Sequence, residues 1–137
     1  MNVAAHGVDL VECHRLAEVI DRHGERFLRR VFTPGELAYC RPRKRCIEHL
    51  AGRFAAKEAV FKVLGTGWRG GIAWTDVEVV HDDAGRPRVV LSGRCREVAD
   101  ALGLSTILLS ITHTANHAMA SAIGCTERGG HVPGGTV

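Results

Sequence analysis

The segment at residues 51–67, AGRFAAKEAVFKVLGTG, constrains the fold of this chain more than any other stretch. Its small and apolar residues predict a long helix over 48–64 that packs against other elements, and the Gly-Thr-Gly sequence that follows ends it. The same helix carries Glu58 and Lys62, which stand one turn apart. Because burying an unpaired charge is costly, these two side chains must be paired, solvated or bound to a ligand.

Helical geometry separates the charges of this segment into two groups. Glu58 and Lys62 share a narrow sector with two alanines, whereas Arg53 and Lys57 lie about 140° away from that sector. One interpretation of Glu58 and Lys62 is an ion pair on a solvated face, worth about 0.3–0.5 kcal/mol. The other is the wall of a ligand site, where small neighbouring residues let a ligand approach the backbone.

Asp9 and His113 are the other candidate functional residues. Asp9 lies in the apolar strand predicted at 6–12, where aspartate has poor β-propensity; it is either an edge residue or a functional carboxylate. Asp9 and Glu58 could share a Mg²⁺ ion, which usually binds one or two protein carboxylates and bridges to substrate phosphates. His113 ends a predicted strand and is either a turn residue, a donor to phosphate or a proton carrier.

The rest of the chain alternates short helices with strands. Further helices are predicted over 14–23, 25–31 and 94–102, and the sequence Thr-Pro-Gly-Glu at 33–36 is typical of a helix start. Strands are predicted over 6–12, 74–81, 88–91, 106–112 and 117–123. This pattern predicts one α+β domain over 1–124, and the glycine-rich tail at 125–137 is expected to be disordered.

Charge and cysteine content narrow the class of protein. The net charge is only +3, but the run RPRKR at 41–45 concentrates positive charge in either a solvated loop or a surface for an acidic partner. The five cysteines form no C-x-x-C pair, which favours reduced thiols in a cytoplasmic protein over a disulfide framework or a zinc site. No apolar run approaches the roughly 20 residues that a transmembrane helix needs, so no membrane partner is expected.

A set of motifs, in order along the chain, resembles one family. The motifs are GVDLVECHRL at 7–16, FLRRVFTPGE at 27–36, LAGRFAAKEAVFKVLGTG at 50–67, WTDVEV at 74–79, GRP at 85–87 and LSITHTANHAMASAI at 109–123. Together they resemble the holo-[acyl-carrier-protein] synthases, the short, single-domain type of 4′-phosphopantetheinyl transferase. The resemblance covers residues 6–124, and the combination of G-[IV]-D, F-x-x-K-E-A-x-x-K and S-x-[ST]-H is highly specific.

The resemblance implies an enzyme that moves the 4′-phosphopantetheine arm of coenzyme A (CoA) onto a serine of apo acyl carrier protein and releases adenosine 3′,5′-bisphosphate. It places Asp9 and Glu58 at a Mg²⁺ ion that binds the CoA pyrophosphate. It also places Lys62 and His113 on the phosphates. Glu58 or a metal-bound water would accept the serine proton, and the sequence does not choose between them.

The resemblance also implies how the CoA and carrier surfaces are built. Residues expected to line the CoA site are Arg53, Gly65, Thr66 and Gly67. Arg15 matches an arginine that faces the carrier protein, which is strongly acidic around its serine. The implied fold is a small, mostly antiparallel sheet packed against the long helix. The implied assembly is a homotrimer with shared active sites, in which His113 completes a neighbour's site.

Two other functions are compatible with parts of the sequence. The 41–45 run could contact phosphates in a nucleic-acid-binding module, but the small net charge and few aromatic residues argue against a nucleic-acid partner. A Mg²⁺-dependent phosphohydrolase, in which water replaces the carrier serine, would use the same carboxylates. The carrier protein implied by the resemblance is of either the fatty-acid or the polyketide type.

Overall fold

The structure, a computed structural model, describes residues 1–66 and 71–127. The helices and strands within these ranges are β1 (Asn2–Glu12), α1 (Cys13–Val31), α2 (Pro34–Cys40), α3 (Cys46–Leu64), β2 (Val77–His81), β3 (Pro87–Leu91), α4 (Gly93–Ala101), β4 (Leu104–His113) and β5 (His117–Thr126). None of the helices in the described ranges is long and apolar enough to cross a membrane.

Local sequence signals explain where the helices begin, bend and end. The predicted break at Gly24 is present: this residue adopts non-helical angles, φ 59° and ψ −143°, and divides α1 into two helical segments. The predicted start of α2 is confirmed: the Thr33 hydroxyl accepts from the Glu36 amide, and the Glu36 carboxylate accepts from the Thr33 amide. Gly65 ends α3 in the left-handed conformation, with φ 73°.

The strands form two antiparallel sheets, which confirms the predicted α+β class. One sheet has the order β1-β5-β4, and β2 and β3 form a separate hairpin. The strand predicted at 74–81 begins with a single 3-10 turn, so that β2 starts at Val77. β5 runs to Thr126, two residues past the expected boundary at 124, because Cys125 and Thr126 pair with β1. Residues 128–137 of the predicted tail lie outside the described residues.

Small residues let α3 pack very close to the three-stranded sheet. A Cβ atom on Gly7 would overlap the carbonyl oxygen of Ala59, and one on Gly124 would lie 2.7 Å from Val63 Cγ1. Three alanines of β5 are also buried against the helix: Ala118, Ala120 and Ala122. This close approach places the middle of β1 directly beside the second half of α3.

The opposite face of the same sheet is exposed and apolar. Leu10 pairs with Met119, so that both side chains lie on the face away from α3. Val8 and Leu108 lie on this face as well, and the exposed fractions of the four side chains run from 42% to 61%. We call Val8, Leu10, Leu108 and Met119 the outer sheet patch.

A buried ion pair joins α2, α3 and the β2 hairpin. Lys57 Nζ lies 2.7 Å from Glu36 Oε1, and neither side chain is exposed. Lys57 also donates to the carbonyl oxygens of Trp74 and Val77, while Glu36 accepts from the Val79 amide at 2.8 Å. Burial lowers the pKa of Lys57 and the Glu36 carboxylate opposes that shift. All the polar atoms of the pair therefore have partners, and Lys57 cannot reach a solvent-borne ligand.

Candidate active site

β1 and α3 bring Asp9, Glu58 and Lys62 together. Lys62 Nζ donates to the Val8 carbonyl oxygen at 2.7 Å and lies 3.3 Å from Asp9 Oδ1. The pKa of the Glu58 carboxyl is raised, first by burial and then by the neighbouring Asp9 carboxylate, while Lys62 opposes the shift. Two carboxylates and one exposed lysine thus form a compact charged cluster between β1 and α3.

The position of Asp9 follows from strand register. Asp9 pairs with Ala120, whose side chain is buried, so that both side chains point toward α3. Gly7, two residues earlier on the same face, leaves room for the helix backbone. Asp9 lies in an otherwise apolar strand because its side chain faces Glu58 and Lys62 on α3.

Asp9 and Glu58 line one cleft of about 340 Å³ together with Arg15. The remaining lining residues are mostly apolar: Leu10, Val11, Glu12, Leu16, Val19, Phe27 and Phe54. Carboxylate oxygens are the donors that Mg²⁺ prefers, and two of them suffice when water and substrate complete the coordination. Among residues 1–66 and 71–127 no group of three or more His, Cys, Asp or Glu side chains could hold a metal by itself. The donor set fits Mg²⁺ bound jointly by protein and substrate.

His113 and Arg53 form a second cluster, away from the carboxylates. His113 Nδ1 lies 2.8 Å from Glu48 Oε1, and its ring centroid is 5.3 Å from that of His49. Arg53 is 4% exposed, and its Nη2 lies 3.4 Å from His81 Nδ1. Its buried Nε has no hydrogen-bond partner within the described part of the chain. His113 and Arg53 line one cavity of about 210 Å³.

The two clusters are separated around and along α3. Arg53 is about 180° around the helix axis from Lys62, and Glu48 lies about 15 Å along the axis from Glu58. One chain therefore does not bring His113 to the carboxylates. Lys57, which helical geometry groups with Arg53, belongs to neither cluster because it is buried against Glu36.

The segment after α3 is only partly described. Gly65 takes the left-handed conformation, and the Thr66 hydroxyl is buried with no partner among the described residues. Gly67, the third residue expected in this loop, lies outside the described residues.

The basic run at 41–45 is exposed but is engaged with the rest of the chain. Arg41 Nη2 lies 2.8 Å from a Glu25 carboxylate oxygen, and the Arg43 guanidinium lies 3.4 Å from the centre of the Tyr39 ring. Arg45 Nε is 3.9 Å from Glu48 Oε2. These contacts favour a structured surface loop over a free phosphate-binding arm.

Sequence reasoning missed several residues around Arg53. His49 is four residues before Arg53, so helical spacing could have placed it on the same face. Tyr39 lies under the Arg53 guanidinium, whose carbon is 4.1 Å from the ring centroid. His81 and Tyr39 come from other elements, and no local pattern links them to α3.

Known proteins resemble this chain in both sequence and fold. Residues 5–120 match the 4′-phosphopantetheinyl transferase superfamily. The chain is 47% identical over 117 residues to the holo-[acyl-carrier-protein] synthase of Koribacter versatilis. The aligned residues make up 85% of this chain and 94% of the Koribacter protein. The crystal structure of the synthase from Neisseria meningitidis has a TM-score of 0.84 and 28% identity, covering 91% of this chain and 100% of that chain.

A second solved structure, the synthase of Helicobacter pylori in complex with coenzyme A, has a TM-score of 0.77 and 28% identity. It covers 88% of this chain and 99% of that chain. The predicted resemblance and the predicted fold type are both confirmed by these matches. This chain belongs to the 4′-phosphopantetheinyl transferase superfamily, among the holo-[acyl-carrier-protein] synthases.

Proposed function

We propose that this chain transfers the 4′-phosphopantetheine arm of CoA to a serine of apo acyl carrier protein, with Mg²⁺ as cofactor. The observation that carries the proposal is the cleft in which Asp9 and Glu58 meet, with Lys62 bonded to Asp9. The relatives are named for this reaction, and one of them was solved with coenzyme A. The five cysteines are all free thiols, which supports a cytoplasmic location.

The reaction makes one bond and breaks one. The serine oxygen bonds to the phosphorus that bears pantetheine, and the bond from that phosphorus to the bridging oxygen breaks, so that adenosine 3′,5′-bisphosphate leaves. Such transfers depend mostly on positioning and charge stabilisation. When bound by Asp9 and Glu58, Mg²⁺ would offset the pyrophosphate charge. Lys62, which is exposed, can shift from Asp9 to the phosphates.

Glu58 is also a carboxylate that could accept the serine proton, through an oxygen that does not hold the metal. Burial and Asp9 raise the pKa of Glu58 in the metal-free protein. Arg53 and His113 would bind other CoA phosphate oxygens through the second cavity. The buried Arg53 Nε, which has no described partner, supports an anionic ligand there.

We also propose a homotrimer in which the two clusters of different subunits meet. Within one chain the clusters lie about 15 Å apart along α3, measured from Glu48 to Glu58, so that a complete site needs the second cluster of a neighbour. The outer sheet patch supplies an apolar surface for such an interface, since exposed apolar groups cluster there.

Replacing Met119 with aspartate is expected to yield monomers, because Met119 lies on the central strand of the sheet and a charge there would be buried in the outer sheet patch. Light scattering coupled to size-exclusion chromatography measures the mass. Transfer should fall roughly tenfold or more, since a monomer lacks the neighbour's cluster. Val90→Asp is the control, because Val90 is similarly exposed, at 48%, but lies on β3. A trimeric, active Met119→Asp protein would contradict this assembly.

Reversing the charge of Arg15 is expected to weaken carrier use. Arg15 lines the cleft of Asp9 and Glu58, where an acidic carrier would approach. The KM for apo carrier should rise roughly tenfold in Arg15→Glu, because attraction becomes repulsion, while CoA affinity changes little. Arg94→Glu on α4 is the matched control. Lost CoA affinity with an unchanged KM for the carrier would assign Arg15 to the CoA site instead.

The decisive experiment for the proposed function is the intact mass of an apo acyl carrier protein after incubation with this protein and CoA. A gain of one phosphopantetheine unit with Mg²⁺, and none with a chelator, is the expected result. CoA breakdown without any carrier would indicate a phosphohydrolase. Salt-sensitive binding to nucleic acid, with no transfer to several apo carriers, would indicate the nucleic-acid-binding alternative.

A further inference from the structure

The ring of His113 is held by a single carboxylate from another element. The His113 backbone is fixed at the end of β4, where the Thr114 amide donates to the His117 carbonyl oxygen at 2.7 Å and closes the turn to β5. The ring is fixed separately, because its Nδ1 lies 2.8 Å from Glu48 Oε1 on α3. This distance is that of a short, charge-assisted hydrogen bond.

Glu48 is placed to keep this bond. Its side chain is 13% exposed and begins in the first turn of α3, where a negative charge is favourable. The second carboxylate oxygen lies 3.9 Å from Arg45 Nε, at the edge of an ion-pair distance. Each oxygen of Glu48 therefore has its own neighbour: Oε1 pairs with His113, and Oε2 lies near Arg45.

The bond decides which nitrogen of His113 carries the proton. An ionised carboxylate only accepts hydrogen bonds, so that the proton must be on Nδ1. Nε2 is then the ring nitrogen left for the cavity that His113 shares with Arg53. The other polar rings and charges around this cavity are those of Tyr39, His49, Arg53 and His81. None of these four is an acid that could take over the role of Glu48.

We infer that Glu48 is the positioning residue of His113: it fixes the ring orientation and keeps a proton on Nδ1, so that Nε2 faces the ligand and donates to a phosphate oxygen when the ring carries its second proton. The same logic governs histidines whose second nitrogen is held by a carboxylate at metal sites. The identification of the ligand as CoA rests on the proposed function, whereas the hydrogen bond between His113 and Glu48 does not. Glu48 itself need not touch CoA.

Nitrogen-15 NMR of the imidazole rings tests the hold directly, with the His113 signals identified by their loss in His113→Ala. At a pH where the histidines are neutral, wild-type protein is expected to show the Nδ1–H pattern. Glu48→Ala and the same-sized Glu48→Gln should shift His113 toward a mixture of both forms. Glu18→Ala is the control, because Glu18 contacts His14, at 3.2 Å, on the exposed face of α1. An unchanged His113 pattern in Glu48→Ala would overturn the inference.

Equilibrium binding of CoA to the same proteins tests the consequence. Glu48→Ala is expected to raise the Kd for CoA about tenfold, because the charge-assisted hydrogen bond that orients His113 is lost. Glu48→Asp should restore part of the affinity for CoA. The double variant Glu48→Ala/His113→Ala should bind no more weakly than His113→Ala, because Glu48 acts only through His113. Additive losses would mean that Glu48 contacts the ligand itself and would overturn its positioning role.

The results that would contradict the proposed function differ from those that would contradict the positioning role of Glu48. If the protein bound no CoA and modified no carrier, while His113 still lost its Nδ1–H form in Glu48→Ala, then the positioning role would stand and the ligand assignment would fall. If transfer were normal but the His113 signals were the same in Glu48→Ala as in wild type, only the positioning role would fall.

Discussion

Glu58→Gln is expected to lower the rate of phosphopantetheine transfer about a thousandfold, without unfolding the protein. The change removes the charge of one of two carboxylates proposed to bind Mg²⁺, and the loss of one preorganised electrostatic group at a reacting centre has effects of this order. Intact-mass assays of apo carrier at several Mg²⁺ concentrations measure the rate. A wild-type rate in this variant would remove Glu58 from the metal site.

The stability of the same variant separates chemistry from folding. The folded protein raises the pKa of Glu58, so that ionised Glu58 opposes folding once the pH exceeds the ordinary carboxyl range. Glutamine carries no charge, and Glu58→Gln should therefore be at least as stable as wild type at neutral pH. Thermal unfolding checks this. Glu97→Gln on α4 removes an exposed carboxylate and should change neither rate nor stability.

Lys57→Met is expected to destabilise the fold by about 3–5 kcal/mol, the effect of removing one partner from a buried ion pair. Glu36 would remain with no lysine to compensate its charge, and the carbonyls of Trp74 and Val77 would lose a donor. Urea denaturation followed by circular dichroism gives the free energy of unfolding. The double variant Lys57→Met/Glu36→Gln should recover part of the loss, because the uncompensated charge is gone.

Lys62→Met is the matched comparison, five residues later on the same helix. Lys62 is 53% exposed, so its ion pair with Asp9 should contribute less than about 1 kcal/mol to stability. Transfer, however, should fall sharply, because Lys62 is the lysine that faces the phosphates in the proposed site. Two lysines of one motif thus have opposite expected effects. A stable Lys57→Met protein, or a strongly destabilised Lys62→Met protein, would reverse these roles.

The helix caps and the alternation along the strands were accessible from the sequence because they depend on local signals. The capping box at Thr33 and Glu36, the glycine that ends α3 and the alternation along β4 and β5 each need only a few neighbouring residues. The strand ends were less accurate. Cys125 and Thr126 belong to β5 because Val3 and Asn2 extend the ladder, and no pattern within the tail indicates that partner.

The carboxylate cluster was also within reach of the sequence, for a different reason. Helical spacing puts Glu58 and Lys62 on one face, and the resemblance of the ordered motifs implies that Asp9 joins them. The meeting of Asp9 with that face was then an expectation. The geometry that realises it depends on Gly7, whose missing side chain lets β1 approach Ala59.

The sequence by itself determined the class of fold, the family and the residues that form the carboxylate cluster, because periodicity and motif order are properties of the chain alone. Only the tertiary structure decided that Lys57 is buried against Glu36, and that Arg53 and His113 line one cavity. It also decided that Glu48 holds the His113 ring. Periodicity gives angles about a helix axis, whereas burial and partners depend on which distant elements cover each side.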